Sequence, residues 1–444
     1  MRVLTHVPAP GFPASSVLGP DGTIYTATFK SFTAPTDAGP SKVLAYSASG
    51  GLLRSYTVQG QTPGTADAVQ VATIDRNGIL YLLDQSPARI VKLDTRTGAQ
   101  STWATFATLP ACPSTAPQGC SDGSGGNPPE PDFAAWGPDG SLYVTDYNQA
   151  LIWRVPPSGG PARVWLTDPS FNGNVVGPAG IQLMPGGHAL MVSTGGGGSN
   201  PSTGKLYTIP IQADGRPGQL KQIWESAPSE APDGLALARS GHIYLSLVGP
   251  AGNAVVEISG QGSEIARVPA SPAANALLPV PFDAPGSVTF SGQNLVVSNE
   301  SSLNNDSSHW ALLEIAVGEP GLAPSLPPPA IPRTTFRLRV SPRHPIAGCP
   351  TRLHFSATRV LRGTARPLAR GRVRLGRIWR HTGKRGRATI TLVLRRPHHR
   401  YRAVLLVAGH RVAVAVVKTR GRGPRRRCQR SSDRTGASQR RDRS

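Results

Sequence analysis

Two aspartates, Asp132 and Asp233, stand out in a chain that offers few other groups able to do chemistry. Each follows a proline, in Pro131-Asp132 and in Pro232-Asp233-Gly234. Carboxylates that converge on one point hold a hard divalent cation, calcium above all, through oxygen ligands. The same dipeptides also suit turns, where Asp accepts a local backbone hydrogen bond, and both readings stand at this stage. Its ten His are scattered, so no nucleophile–base pair can be named.

The element that must position these residues is a repeat. Pro20-Asp21-Gly22-Thr23-Ile24-Tyr25 recurs as Arg76-Asn77-Gly78-Ile79-Leu80-Tyr81 and as Pro138-Asp139-Gly140-Ser141-Leu142-Tyr143. Weaker copies end at Leu190, Tyr244 and Leu295, so the six anchors lie 56, 62, 47, 54 and 51 residues apart. Repeats of about 40–50 residues with several short strands each mark a propeller. Asp-Gly and Gly-Gly between alternating runs read as hairpin turns, and each copy reads as a four-stranded meander. The spare length falls in the loops that emerge on one face, where function is usually carried. An unassigned strand at Arg2–Val7 is placed to complete the last blade and close the ring.

The repeat also serves as a ruler. Counting back 11 residues from each anchor reaches Ala14, Gln70, Asp132, Ala179, Asp233 and Ala284, a predicted ring around the channel mouth. Further polar residues just past the anchors include Asp84, Asp146 and Asn299. With Gln70 they are placed to hydrogen-bond a small polar ligand such as a sugar. For Asp84 and Asp146, capping of the strand-to-loop turn is the competing reading.

Charge divides the chain in two. From Ile331 to Ser444 there are 32 Lys plus Arg and two acids, a net charge of +30, whereas the remaining residues carry 15 bases and 23 acids, a net charge of −8. Thirty of the 32 bases are Arg. Few aromatics accompany them, which speaks against a stacking platform for nucleic acid and for a solvated face or attachment to an anionic cell envelope. The fold expected is all-β: a six-bladed β-propeller over 1–317, a Pro-rich linker over 318–333, a small immunoglobulin-like β-sandwich over 334–418 and a disordered Arg-rich tail over 419–444. Cys112 and Cys120 suit a disulfide that staples one long loop, and Cys349 with Cys428 a second. An extracellular or cell-envelope location fits this usage, although Met1–Val17 shows no apolar signal-peptide core. A monomer is expected.

Ala231-Pro232-Asp233-Gly234-Leu235-Ala236-Leu237, the six-fold spacing and Phe282-Asp283-Ala284-Pro285-Gly286-Ser287-Val288 resemble the regucalcin/gluconolactonase family of six-bladed propellers over about residues 1–318. NHL-type propellers share the same phrase. The resemblance implies a metal-dependent lactone or ester hydrolase with a divalent cation, calcium or zinc, at the channel mouth. Its ligands would be a Glu from the first blade, Asn from middle blades and an Asp from the fifth. By position the Asp falls on Asp233, making it the catalytic and metal candidate, and one Asn falls on Asp132. The Glu falls on Ala14 and the other Asn on Ala179, neither of which can coordinate a cation. The expectation is therefore a ligand-binding propeller with a degenerate metal site, with a hydrolase using an altered ligand set as the alternative.

Overall fold

The computed structural model describes residues 1–31, 40–62, 68–111, 120, 128–172, 177–196, 202–323, 325–327, 335–361, 364–407 and 410–422. They divide into two compact units, the first ending at Pro328.

The first unit is a propeller of six sheets. Blade one is the meander Pro13–Leu18, Ile24–Thr28, Lys42–Tyr46 and Leu52–Thr57. The turn after its inner strand needs Gly22, whose φ of +82° is costly for other residues. The inner strands of blades two to six are Val69–Ile74, Pro131–Trp136, Pro178–Leu183, Pro232–Leu237 and Pro285–Ser291. The expected closure is present. Arg2–His6 pairs antiparallel with Ala311–Ala316 as the outer strand of blade six, burying Leu4, with Val7 buried just beyond it.

The core lies between neighbouring blades. Val43 and Val58 of blade one share a cluster with Val71 and Leu80 of blade two, and Tyr143 and Ile152 of blade three share one with Leu190 and Tyr207 of blade four. Around the channel the blades are stitched by hydroxyls. Thr145 donates to the Ala179 carbonyl at 2.6 Å, Ser193 to Asp233 O at 2.5 Å, Ser246 to Gly286 O at 3.2 Å, and Ser298 pairs with Ser16 at 2.7 Å. Each of these links a second strand to the inner strand of the next blade.

The Pro-rich stretch begins against the propeller rather than free of it. Arg239 N donates to Pro320 O at 3.0 Å and Leu322 N to Leu237 O at 2.7 Å. Gly321 is required at this crossing, because a Cβ there would enter the Phe290 ring.

The second unit holds two four-stranded sheets, one centred on Pro350–Leu361 and the other on Arg372–Leu375 and Arg400–Val407. Leu353, Phe355, Val373, Ile390, Leu405 and Val417 form their shared core. Arg420–Arg422, expected in the tail, pairs parallel with Ile346–Ala347. Backbone pairing needs no apolar side chain, which is why composition did not reveal it. Cys120 and Cys349 are buried, and neither is a free thiol. Cys112 and Cys428 lie outside the described residues, as does the tail from Gly423.

Candidate functional site at the channel mouth

Four inner strands start on a proline and break register directly after it, between Pro13 and Ser16, Pro131 and Ala134, Pro178 and Ile181, and Pro232 and Leu235. A bulge re-aims the side chain that follows. That side chain belongs to Ala14, Asp132, Ala179 and Asp233, and all four are buried. In blade six the register breaks between Pro285 and Ser287, so the equivalent residue is Gly286 and not Ala284. The ruler failed there because the hairpin Ser291–Asn294 is tight, with Ser291 and Asn294 directly paired. Ala284 instead precedes the proline with a φ of +49°, as Phe12 does at +52° and Ala231 at +46°. Three equivalent non-glycine residues thus hold a left-handed backbone beside the channel mouth, where such strain is usually tied to function.

Gln70 joins Asp132 directly, its Nε2 donating to Asp132 Oδ1 at 2.7 Å. Burial pushes the Asp132 carboxyl up to about 7, opposed by the Gln70 hydrogen bond and reinforced by the charges of Asp146 and Glu130. Nearby Lys30, ion-paired to Glu130 at 2.9 Å, pulls it back. The Asp233 carboxyl is held well above the usual range, first by burial and then by the charges of Asp132 and Glu300. Two buried acceptor oxygens, Asp233 Oδ1 and Gln70 Oε1, have no hydrogen-bond partner among the described residues.

The other three predicted ligand-binding residues face away from this point. Asp84 is ion-paired to Arg89 at 2.9 Å and accepts from Gln61. Asp146 accepts from Trp153 Nε1 at 2.9 Å and from the backbone N–H groups of Glu130 and Gln149. Its carboxyl rises to about 6 through burial. Asn299 accepts from Asp283 N and donates to the carbonyls of Pro281 and His309. All three tie loops to strand ends.

The next residue along the same strand is the one that completes the site. Successive side chains of a strand alternate in direction, so with Asn299 turned to the loops Glu300 turns inward. Its carboxylate fills the space above Gly286. A methyl group there would collide with Glu300 Oε1 and stand 2.8 Å from the Ala14 carbonyl oxygen. Glu300 is buried, and its carboxyl is raised well above the ordinary value by burial and by the charges of Asp132 and Asp283. A carboxylate thus reaches the vicinity of Ala14 from the neighbouring blade. The alternation rule applied to Asn299 would have exposed this signal.

Asp132, Asp233 and Glu300 therefore share one buried region with the amide of Gln70. Three carboxylates in a low dielectric either retain protons or share a cation. The donor set is wholly oxygen, which fits calcium better than a softer metal. The carboxylates are more widely spread than a closed coordination shell. Among the described residues, the single group of three His, Cys, Asp or Glu with ligand atoms within 4.8 Å of one another lies elsewhere, at His242, Glu257 and Glu319. There His242 Nδ1 sits 2.8 Å from Glu257 and 3.0 Å from Glu319, and Tyr244 donates to Glu319 at 2.6 Å.

No family model matches the chain, and no curated protein matches it. Solved structures do. A regucalcin from Agrobacterium tumefaciens strain C58, described as a calcium-binding protein, is 17% identical over 74% of this chain and 97% of its own, with a TM-score of 0.50. A periplasmic gluconolactonase from Pseudomonas aeruginosa is 16% identical over 69% of this chain and 86% of its own, with a TM-score of 0.42. A virginiamycin B lyase from Staphylococcus aureus is 15% identical over 69% and 85%, also at 0.42. The resemblance noted in the sequence thus extends to the fold: the first unit shares the propeller architecture of regucalcin.

Proposed function

We propose that the long-loop face of the propeller binds a small polar ligand through a divalent cation held by Asp132, Asp233 and Glu300, with Gln70 beside them. The observation that supports this most is Glu300 lying over Gly286, which brings a third carboxylate toward Asp132 and Asp233. The orphaned Asp233 Oδ1 and Gln70 Oε1 are oxygen acceptors suited to a hard cation or to ligand hydroxyl groups. A bound divalent cation would supply Lewis-acid polarisation of a ligand oxygen. This chain's own residues would orient the ligand, exclude water and hold protons on the raised carboxyls.

The second reading is a lactone or ester hydrolase with an altered ligand set, favoured by the same Glu300. Asp233, the most perturbed of the carboxyls placed by the repeat, is its candidate for moving a proton. For the second unit, the reading carried by its 30 Arg is electrostatic attachment of a monomeric protein to an anionic envelope surface outside the cytoplasm, with disulfides at Cys120 and Cys349.

Calorimetric titration with calcium, followed by a lactone panel, separates the alternatives. Calcium binding lost in Asp233→Asn and Glu300→Gln is expected. Turnover of any lactone that disappears in the same variants selects the hydrolase, and silence across the panel selects the binding protein. Absence of calcium binding by the unaltered chain contradicts both.

A further inference from the structure

The other end of the channel holds a separate cavity of about 560 Å³. All six inner strands line it, and Pro320–Ala323 with Ser325 and Leu326 forms one wall. Its surface is mainly apolar, with Leu18, Phe133, Leu183, Leu237, Phe290 and Leu322 among the contributors. Hydroxyls separate it from the carboxylates: Ser16 and Ser287 line its inner end, and both hydrogen-bond to Ser298, at 2.7 and 3.3 Å. These hydroxyls are satisfied by one another, so the inner end makes no demand on a polar ligand. A cavity of this size, with mainly apolar walls and its charged groups at the edge, is built for a small-molecule ligand.

Charge decides which ligand. Arg76 and Arg239 stand exposed at the cavity's edge, and neither guanidinium has an ion-pair or hydrogen-bond partner among the described residues. Asp75, also at the edge, is occupied by the Asn77 and Ile79 N–H groups of its own turn. Asp132, Asp233 and Glu300 lie at the opposite end of the same channel. An anionic head is therefore drawn to the arginine end and repelled from the carboxylate end, whereas an apolar tail finds its place between them. We infer that this cavity binds a monocarboxylate amphiphile of fatty-acid type, tail inward and carboxylate at Arg76 and Arg239. This site is independent of the cation site.

The test is calorimetric titration of the full chain with octanoate, decanoate and dodecanoate below their micelle concentrations. It is run at about 0.5 M salt, so that adsorption on the basic second unit is screened. One-to-one binding is expected, tightening about fourfold per methylene until the channel is full. Arg76→Gln with Arg239→Gln should weaken decanoate at least about tenfold and leave decanol unchanged. Ala134→Trp, which fills the channel, should abolish both. Should that variant fail to fold, Leu326→Asp on the crossing segment places a carboxylate in the wall and should weaken decanoate without repacking a strand. Absence of saturable binding, affinity independent of chain length, or a decanoate complex indifferent to the arginine pair would each overturn the inference.

Discussion

Because Asp132, Asp233 and Glu300 are buried within reach of one another's charge, propeller stability depends on pH in a defined direction. Each carboxyl binds its proton more tightly folded than unfolded. Without a cation, the contribution of these three groups to stability is fully present below about 4 and is lost as pH rises through about 7, the value reached by Asp132. Calcium competes with those protons, so its affinity should rise over the same interval, as titrations at pH 5, 6, 7 and 8 would record. Asp132→Asn separates the two effects. In calcium-free buffer at pH 8 it should raise the melting temperature, because a buried charge is gone, while calcium affinity falls. Gly286→Ala keeps every charge and pushes the Glu300 carboxylate aside, while crowding the Ala14 carbonyl. It should weaken calcium about tenfold or more, and unchanged affinity would remove Glu300 from the site.

At the scale of strands and blades, the structure explains which parts of the site the sequence exposed. The Pro-x starts of the inner strands and the anchors Tyr25, Tyr81, Tyr143 and Tyr244 repeat because each blade solves the same packing problem, so Asp132 and Asp233 could be located by counting. Glu300 escaped because blade six carries a shorter hairpin, which shifted the count onto Ala284, and because its direction depends on strand alternation beyond the ladder's end. Asp84, Asp146 and Asn299 were legible as polar residues near the long-loop face, but their loop partners come from distant positions or turn geometry. The inter-blade hydroxyls lead to a further expectation. Ser246→Ala leaves the Gly286 carbonyl without its hydroxyl donor and should cost about 1–3 kcal/mol in denaturant unfolding. Removing residues 1–7 opens blade six and exposes the partners of Leu4 and Val7, a loss of roughly 3–6 kcal/mol from those two side chains. A truncated chain melting with the full-length one would contradict ring closure by this strand.

At the scale of the whole molecule, an acidic propeller and a strongly basic second unit are joined in one chain, each with its own core. Two melting transitions are expected. Binding of the second unit to anionic vesicles should be strong at 0.1 M salt and collapse toward 1 M, as the screening length falls from about 10 Å to about 3 Å. Persistence at high salt would contradict an electrostatic role. Because the propeller transition can be followed by itself, thermal melting of the full chain with and without calcium at pH 8 tests the cation site most directly. At calcium about 100-fold above its dissociation constant, the propeller should gain about 2.7 kcal/mol of stability, and the gain should vanish in Asp233→Asn. A propeller transition that does not move with calcium, or that moves equally in Asp233→Asn, would contradict the assignment of Asp132, Asp233 and Glu300 to a cation site.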